Sequence, residues 1–364
     1  ERNVTRTIAA RRPGCAAARF LAGLATLSLI GSASLAAADG RPGGDATHDE
    51  KPSIKRVPRP SLTSMEYRLS WGLAQIDADR AYARGITGAG VTVAMIDTGI
   101  ASQRSPAIGR LSPQSTDLID HRTPPATPDP HGTEVADIVA APLDGTGTVG
   151  VAYRSTILSI RADIDGSCAR QCAVYAKDLA RGIDYALAHG ARVIGVPLVG
   201  QHSLPTIEPA LARAAAAGAI VVMAAGNDGG GDPLWPARYA ADPRFSRAVI
   251  VAGASGTNGE LASWSNRAGV AADRFISAPG EKIVTDCDRK YCYLVSGSSF
   301  AVAYVAGALA LLLESQPTLS PQDAAEVLLR TAQWQHGGKR SDGRGLVDIG
   351  HALHVARQRQ ASAA

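Results

Sequence analysis

The chain has 364 residues, of which 45% are hydrophobic, so it can bury a large core in one or two domains. Its formal net charge is +4, and the five arginines and one glutamate of residues 1–38 account for all of that excess. The remainder is close to neutral, which gives no support for a nucleic-acid-binding protein with a basic face.

The N-terminal segment, residues 1–38, has the pattern of a secretory signal peptide. Arginines precede an apolar run at 20–30, and three alanines at 36–38 offer a cleavage point before Asp39. The apolar run is short for a membrane-spanning helix, so we expect cleavage rather than a membrane anchor. The mature chain is therefore predicted to be exported, secreted or periplasmic, with no stable membrane span.

Residues 39–66 are rich in proline, glycine and charge, and are predicted to form a flexible linker or a short pro-segment. Beyond them, continuous apolar runs predict strands at 91–96, 156–160, 193–199, 219–224 and 248–252. Helix patterns alternate with these runs or follow them, at 135–140, 177–189, 207–217, 300–315 and 321–331. The alternation predicts an α/β fold with a doubly wound, mostly parallel sheet and helices on both faces. We expect one domain at 67–357, followed by a tail at 358–364.

Four polar residues stand at the ends of these predicted elements. Asp97 ends a strand pattern, and Asn227 follows another in the motif AAGN. His131 opens a helix pattern in HGTEVA, and Ser299 lies in GSSFA, just before the long apolar helix. Doubly wound sheets bind ligands at the carboxyl ends of their strands, where Asp97 and Asn227 fall. A serine at a helix start has its own N–H and the positive helix end beside it to stabilise an oxyanion.

The order Asp, His, Asn, Ser resembles that of the subtilisin-like serine peptidases, the subtilases. Segments that resemble further landmarks of this family occur at 150–152, 235–237, 262–266, 278–280 and 345–348, so the resemblance covers roughly residues 70–355. It implies a serine endopeptidase that acts on protein or peptide substrates through an acyl-enzyme intermediate.

The resemblance also implies a role for each of the four residues. Ser299 would be the nucleophile, His131 the general base and then the general acid, and Asp97 the group that orients the imidazole. Asn227 would donate to the oxyanion together with the backbone N–H of Ser299. Seen alone, each has an ordinary structural interpretation, such as a helix-start histidine or a turn aspartate. The chemistry implies no required cofactor, while structural calcium, other metals and the oligomeric state stay open.

The sequence departs from the family pattern near these residues. Glu134 and Asp137 replace a usual His and Gly, and place negative charge on the helix of His131. Ala-Tyr at 303–304 replaces a usual Pro-His pair. No reacting group is removed, but an inactive peptide-binding relative is one alternative. An esterase with the same triad is a second, although the Gly-x-Ser-x-Gly elbow of α/β-hydrolases is missing.

A larger departure lies at Pro197, Leu198, Val199 and Gly200, where the family commonly has Ser-Leu-Gly-Gly. The resemblance assigns this segment to substrate binding, as a wall of the primary specificity pocket. Pro197 has no N–H to donate, and Val199 adds bulk where glycine gives room. We therefore expect a cleft that is narrower than in a typical relative.

Cys15 falls in the signal segment, which leaves Cys168, Cys172, Cys287 and Cys292. An even number of cysteines in an exported protein favours disulfides. Cys287 and Cys292 lie between two strand-like runs and could face each other across a hairpin, with Cα atoms about 4.4–6.8 Å apart. Cys168 and Cys172 could close a small loop. A four-cysteine zinc site is the alternative, with poorer spacing.

Overall fold

The computed structural model describes residues 4–6, 57–101, 105–122, 128–169, 172–287, 291–334 and 338–363. The predicted signal segment therefore lies outside the described residues, apart from Val4–Arg6. The same holds for most of the predicted linker, whose last residues belong to a helix that begins at Met65.

The strands of the described residues are Val4–Arg6 (β1), Thr92–Asp97 (β2), Thr116–Asp117 (β3), Thr156–Arg161 (β4), Ala173–Tyr175 (β5), Val193–Val196 (β6), Ile220–Ala224 (β7), Val249–Ser255 (β8), Phe275–Pro279 (β9), Ile283–Thr285 (β10) and Tyr293–Val295 (β11). Seven of them form one sheet in the order β3-β4-β2-β6-β7-β8-β9, and every pairing in it is parallel. The pairs β1–β5 and β10–β11 are antiparallel.

The α-helices of the described residues are Met65–Leu69 (α1), Gly72–Gln75 (α2), Asp79–Tyr82 (α3), Pro130–Ala140 (α4), Ala176–Ala188 (α5), Glu208–Ala216 (α6), Ser298–Ser315 (α7), Pro321–Thr331 (α8), Lys339–Asp342 (α9) and Ile349–Ala363 (α10). The last of them continues beyond residue 357, so the predicted boundary between domain and tail falls inside a helix.

Helices cover both faces of the sheet, and alternate residues of β2 show the two cores. Val93 and Met95 belong to a buried cluster with residues of α4, α7 and α8. Ala94 and Ile96 belong to a second cluster with residues of α5 and α6. The predicted doubly wound α/β fold is confirmed. Strands buried on both faces read as continuous apolar runs, which is why they were visible in the sequence.

The chain changes direction across the sheet at β2, and this change positions the site. From β2 the chain passes through α4 to β4 on one side, and then through α5 to β6 on the other side. Such a switch point leaves a crevice at the carboxyl ends of the strands. Asp97, the last residue of β2, therefore stands at the edge where a doubly wound sheet binds its ligands.

Two predicted boundaries are wrong near the site. The strand predicted at 193–199 ends at Val196, because Pro197 has no N–H to continue the ladder. The helix predicted at 135–140 begins instead at Pro130, with the side chain of Asp129 as its N-cap. An aspartate followed by proline is a signal for a helix start, and it could have placed this boundary correctly.

Helix α7 runs through the centre of the protein. By length and apolar composition it could cross a membrane, but 83% of it is buried inside the fold. It packs against α4 and against several strands of the sheet. The helix is therefore the core element that fixes the position of its own first turn, where Ser299 lies.

Two disulfides join Cys168 to Cys172 and Cys287 to Cys292, so these cysteines do not form the alternative zinc site. The second bond closes the connection between the antiparallel strands β10 and β11, which confirms the predicted hairpin pairing. Its Cα atoms are 4.0 Å apart, closer than predicted. Both cysteines lie beyond the last paired residues of the ladder, where the chain is already turning.

Candidate active site

Asp97 and His131 are in direct contact at the carboxyl edge of the sheet. The Nδ1 atom of His131 lies 2.8 Å from Oδ1 of Asp97 and 3.0 Å from Oδ2. The backbone N–H of Thr98 donates to the same carboxylate at 2.6 Å. The carboxylate is therefore held from two directions, by the backbone of Thr98 and by the ring of His131. Both side chains are buried.

The start of α4 is fixed to the end of β2 by a short network. The Asp129 carboxylate accepts a hydrogen bond from the N–H of His131 at 3.0 Å. The Thr98 hydroxyl donates to the carbonyl of Asp129 and accepts from the N–H of Gly132, both at 3.0 Å. A Cβ on Gly132 would lie 2.2 Å from the carbonyl oxygen of Gly99, so only glycine permits this approach. No motif in the sequence indicated that Thr98, Asp129 and Gly132 position the site.

Ser299 is the second residue of α7 and is 4% exposed. The ring of the next residue, Phe300, packs against His131, with 5.8 Å between the ring centroids. This contact brings the starts of α4 and α7 together. The Ser299 hydroxyl donates to the backbone carbonyl of Pro197 at 3.1 Å. The structure therefore brings Asp97, His131 and the first turn of α7, which carries Ser299, to one edge of the sheet, with the serine hydroxyl directed at the carbonyl of Pro197.

Asn227 is placed against the first turn of α7. Its side-chain oxygen accepts a hydrogen bond from the N–H of Ser298 at 2.8 Å, which fixes the plane of the amide and the direction of its N–H donors. The Ser298 hydroxyl in turn accepts from the N–H of Gly226 at 3.1 Å. The loop after β7 and the start of α7 are thus held together at the residue that precedes Ser299.

The segment of Pro197, Leu198, Val199 and Gly200 follows β6 directly and is buried throughout. Gly200 exchanges two backbone hydrogen bonds with Trp235, at 2.6 and 3.0 Å, so its own N–H and carbonyl are already paired. Val199 is 2% exposed and belongs to the core cluster shared with α4 and α7. The segment lies beside Ser299 through the bond to the carbonyl of Pro197.

Several carboxylates surround His131 and determine its pKa. Burial by itself would lower that pKa, but the charge of Asp97 and its hydrogen bond outweigh the effect. The charges of Glu134 and Asp129 act in the same direction, and together they raise the pKa of His131 to about 9. The extra acidic charge noted in the sequence thus acts on the histidine through Glu134.

Asp137 lies on α4 one turn beyond Glu134 and is a second buried carboxylate of this helix. Burial raises its pKa to about 7, although donors from Ser105 and Ala107 to its Oδ1 oppose the shift. The charges of Asp286 and Glu134 raise the pKa further. No described residue donates to its buried Oδ2 atom. Asp286 follows β10, and nothing in the sequence indicated that it would approach α4.

One group of described residues has three ligand atoms close enough to share a metal ion. It consists of Asp129, Cys168 and Cys172, whose ligand atoms all lie within 4.8 Å of one another. The two cysteines are joined in a disulfide and offer no thiolate, so the group contributes one carboxylate.

Residues 88–350 match the sequence model of the subtilase family. The chain belongs to the subtilase family. As a subtilase it is a serine endopeptidase, and the family resemblance seen in the sequence is confirmed.

Two relatives agree with this assignment, and a solved structure shares the fold. The chain is 30% identical over 303 residues to a thermostable alkaline protease of Halalkalibacterium halodurans, covering 83% of this chain and 78% of that protein. It is 31% identical over 285 residues to Subtilisin DY of Bacillus licheniformis, covering 77% of this chain and 96% of that protein. The fold is similar to that of a protease from Pseudoalteromonas arctica, with a TM-score of 0.67 and 23% identity over 80% of this chain and 98% of that one.

Proposed function

We propose that this subtilase is an exported endopeptidase in which Asp97, His131 and Ser299 form the catalytic triad and Asn227 donates to the oxyanion. The main support for this proposal is the 2.8 Å contact between His131 Nδ1 and Asp97 Oδ1, at a sheet edge where the first turn of α7 also lies. The arginine-rich N-terminal segment with its apolar run supports export, secreted or periplasmic.

The reaction begins with a change at Ser299. Its hydroxyl donates to the carbonyl of Pro197 and must turn to Nε2 of His131, the nitrogen that does not face Asp97. His131 then takes the hydroxyl proton as Oγ attacks the substrate carbonyl carbon. Asp97 holds the tautomer with the proton on Nδ1 and stabilises the imidazolium that forms.

The negative charge that develops on the substrate oxygen lies at the start of α7. The N–H of Ser299 and the side-chain amide of Asn227 donate to it, and the helix N-terminus adds a favourable field. His131 passes its proton to the leaving amine, and the peptide bond breaks to give an acyl-enzyme on Ser299. Water, deprotonated by the same histidine, releases the acid product and restores the serine hydroxyl.

The wall of the specificity pocket is assigned to the segment Pro197, Leu198, Val199 and Gly200. This assignment is supported by the 3.1 Å hydrogen bond from the hydroxyl of Ser299, the proposed nucleophile, to the carbonyl of Pro197. Since all reacting groups are side chains and backbone amides, the reaction requires no cofactor. Peptidase activity in excess EDTA tests this, and a lower melting temperature in EDTA would separately reveal structural calcium.

Labelling with a fluorophosphonate tests the triad. The full-length protein and its Ser299→Ala variant are treated with the probe, and tryptic peptides are analysed by mass spectrometry. We expect the probe mass on the peptide that contains Ser299 and no labelling of the variant. An unlabelled, correctly folded wild type that still binds peptides would instead identify an inactive relative. Cleavage of ester but not peptide substrates would favour the esterase.

A further inference from the structure

A cavity rich in arginine lies at the edge of the sheet opposite to Ser299. It has a volume of about 290 Å³ and is lined by Arg247, Arg274, Gln322, Glu326 and Arg330. Two of the arginines stand just before strands β8 and β9, at their amino ends. The other three residues are spaced four apart along α8 and share one face of that helix.

The positive charge of this cavity exceeds its negative charge. Three guanidinium groups line it, and Glu326 is the single lining carboxylate. Glu326 forms ion pairs with two of these arginines, Arg274 at 3.2 Å and Arg330 at 2.7 Å. Arg247 has a looser ion pair at 3.4 Å, with Asp323 outside the lining. Pairs as exposed as this one contribute little and leave the arginine able to bind another anion.

Arg274 is the most buried of the three, with 11% of its side chain exposed. It donates from Nε to the carbonyl of Val249 at 3.1 Å and from Nη1 to Glu326. No described residue accepts a hydrogen bond from its buried Nη2 atom. Burial lowers the pKa of Arg274, Glu326 opposes that effect, and the like charges of Arg344 and Arg247 lower the pKa further.

We propose that this cavity binds a tetrahedral oxyanion such as inorganic phosphate or a phosphoryl group. Guanidinium groups match the planar pairs of oxygens of such anions with two parallel hydrogen bonds each. An anion would balance the positive charge that Glu326 and the loosely paired Asp323 leave on the three arginines. It would also join the amino ends of β8 and β9 to α8, far from the reacting groups.

Isothermal titration of inorganic phosphate tests the site. The full chain carries Ser299→Ala to prevent self-digestion, and chloride keeps the ionic strength constant. We expect saturable binding to one site and a melting temperature that rises with phosphate until the site is full. Arg330→Gln and Arg247→Gln, both at exposed positions, should each weaken binding at least about tenfold.

Arg213→Gln is the matched control, since Arg213 is also an exposed, paired arginine but lies on α6 against Asp184. It should keep the affinity of the parent protein. A phosphoserine peptide forms the second arm: equal affinity identifies free phosphate as sufficient, and tighter binding identifies a phosphorylated partner. The proposal is wrong if phosphate gives no saturable heat, or if the double variant Arg247→Gln, Arg330→Gln binds as tightly as the control.

Discussion

Asp97 Oδ1 lies between two donors, the ring Nδ1 of His131 at 2.8 Å and the backbone N–H of Thr98 at 2.6 Å. The carboxylate is thus oriented by the backbone of the next residue as well as by the histidine. Because Asp97 is the last residue of β2 and His131 the second residue of α4, the contact depends on how the helix start docks on the strand end. Thr98 serves both requirements: its backbone N–H orients the Asp97 carboxylate, and its hydroxyl fixes the docking through Asp129 and Gly132.

Asp97→Asn is expected to lower kcat by about 10⁴-fold with little change in KM. The amide is similar in shape, but it favours the wrong tautomer of His131 and cannot stabilise the imidazolium. Steady-state hydrolysis of a peptide substrate measures the effect. Asp184→Asn, at an exposed position paired with Arg213, should behave as wild type. A loss below about tenfold for Asp97→Asn would contradict the assigned role.

The pH profile should report the raised pKa of His131. The histidine must be neutral to accept the serine proton, so kcat/KM is expected to rise with pH up to a midpoint near the pKa of about 9. Glu134→Gln removes one charge that raises this pKa and should move the midpoint to lower pH. Glu260→Gln, far along the chain and exposed, is the control. An unchanged midpoint in Glu134→Gln would show that its charge does not act on His131.

Thr98→Val should lower kcat by about 10²-fold, since small misplacements of reacting groups cost about that much. Valine keeps the shape but loses both hydroxyl contacts, to the carbonyl of Asp129 and to the N–H of Gly132. Thr98→Ser retains the hydroxyl and should recover most of the rate. The pH midpoint should stay that of wild type if Thr98 acts by position alone. Equal rates for the two variants would refute this role.

Asp137 should contribute to the stability of the fold in acid, and this contribution should be lost as the pH rises from about 4 to 7. Its pKa is raised from 3.8 to about 7 on folding, so the unfolded chain releases the proton first. The folded state is favoured in acid and loses up to about 4 kcal/mol of relative stability across this interval. The pKa of His131 is also raised on folding, so the contribution of this histidine to stability is lost at higher pH, between 6.5 and about 9.

Asp137→Asn removes the ionisation and should flatten this part of the pH dependence. The measurement is the free energy of unfolding in urea at pH 4, 5.5 and 7, in the Ser299→Ala background to prevent self-digestion. Wild type should lose several kcal/mol relative to the variant between the first and last pH. Parallel curves for both proteins would mean that Asp137 is already ionised in acid.

Val199→Gly tests the narrow cleft. The valine is 2% exposed and packed in the core, so its removal should cost about 2–4 kcal/mol of stability. If the isopropyl group also limits the pocket, the preference for Phe over Ala before the scissile bond should increase about 5- to 150-fold. The Phe-over-Ala preference of Val199→Ala should lie between those of wild type and Val199→Gly. A wild type that already prefers Phe, with the same ratio in Val199→Gly, rules out the narrowing.

The sequence by itself determined the order of elements and the residues at their ends. Buried parallel strands show as apolar runs, and helix α8 shows its start in Ser320 followed by Pro321, so both depend on residues close together in the chain. Asp97, His131, Asn227 and Ser299 were identifiable because their order and motifs resemble those of the subtilases, and because each stands at or near the end or the start of such an element. Their shared sheet edge follows from the topology of a doubly wound sheet.

Only the tertiary structure decided what surrounds them. Asp286 approaches Asp137 although about two fifths of the chain lies between them, and Arg274 and Arg330 line one cavity because α8 docks on the amino ends of the strands. The fit of Gly132 against the carbonyl of Gly99 is equally hidden in the sequence. Such contacts join residues with no local pattern in common. They depend on the distance and angle at which whole elements pack, which the packing of the two cores sets.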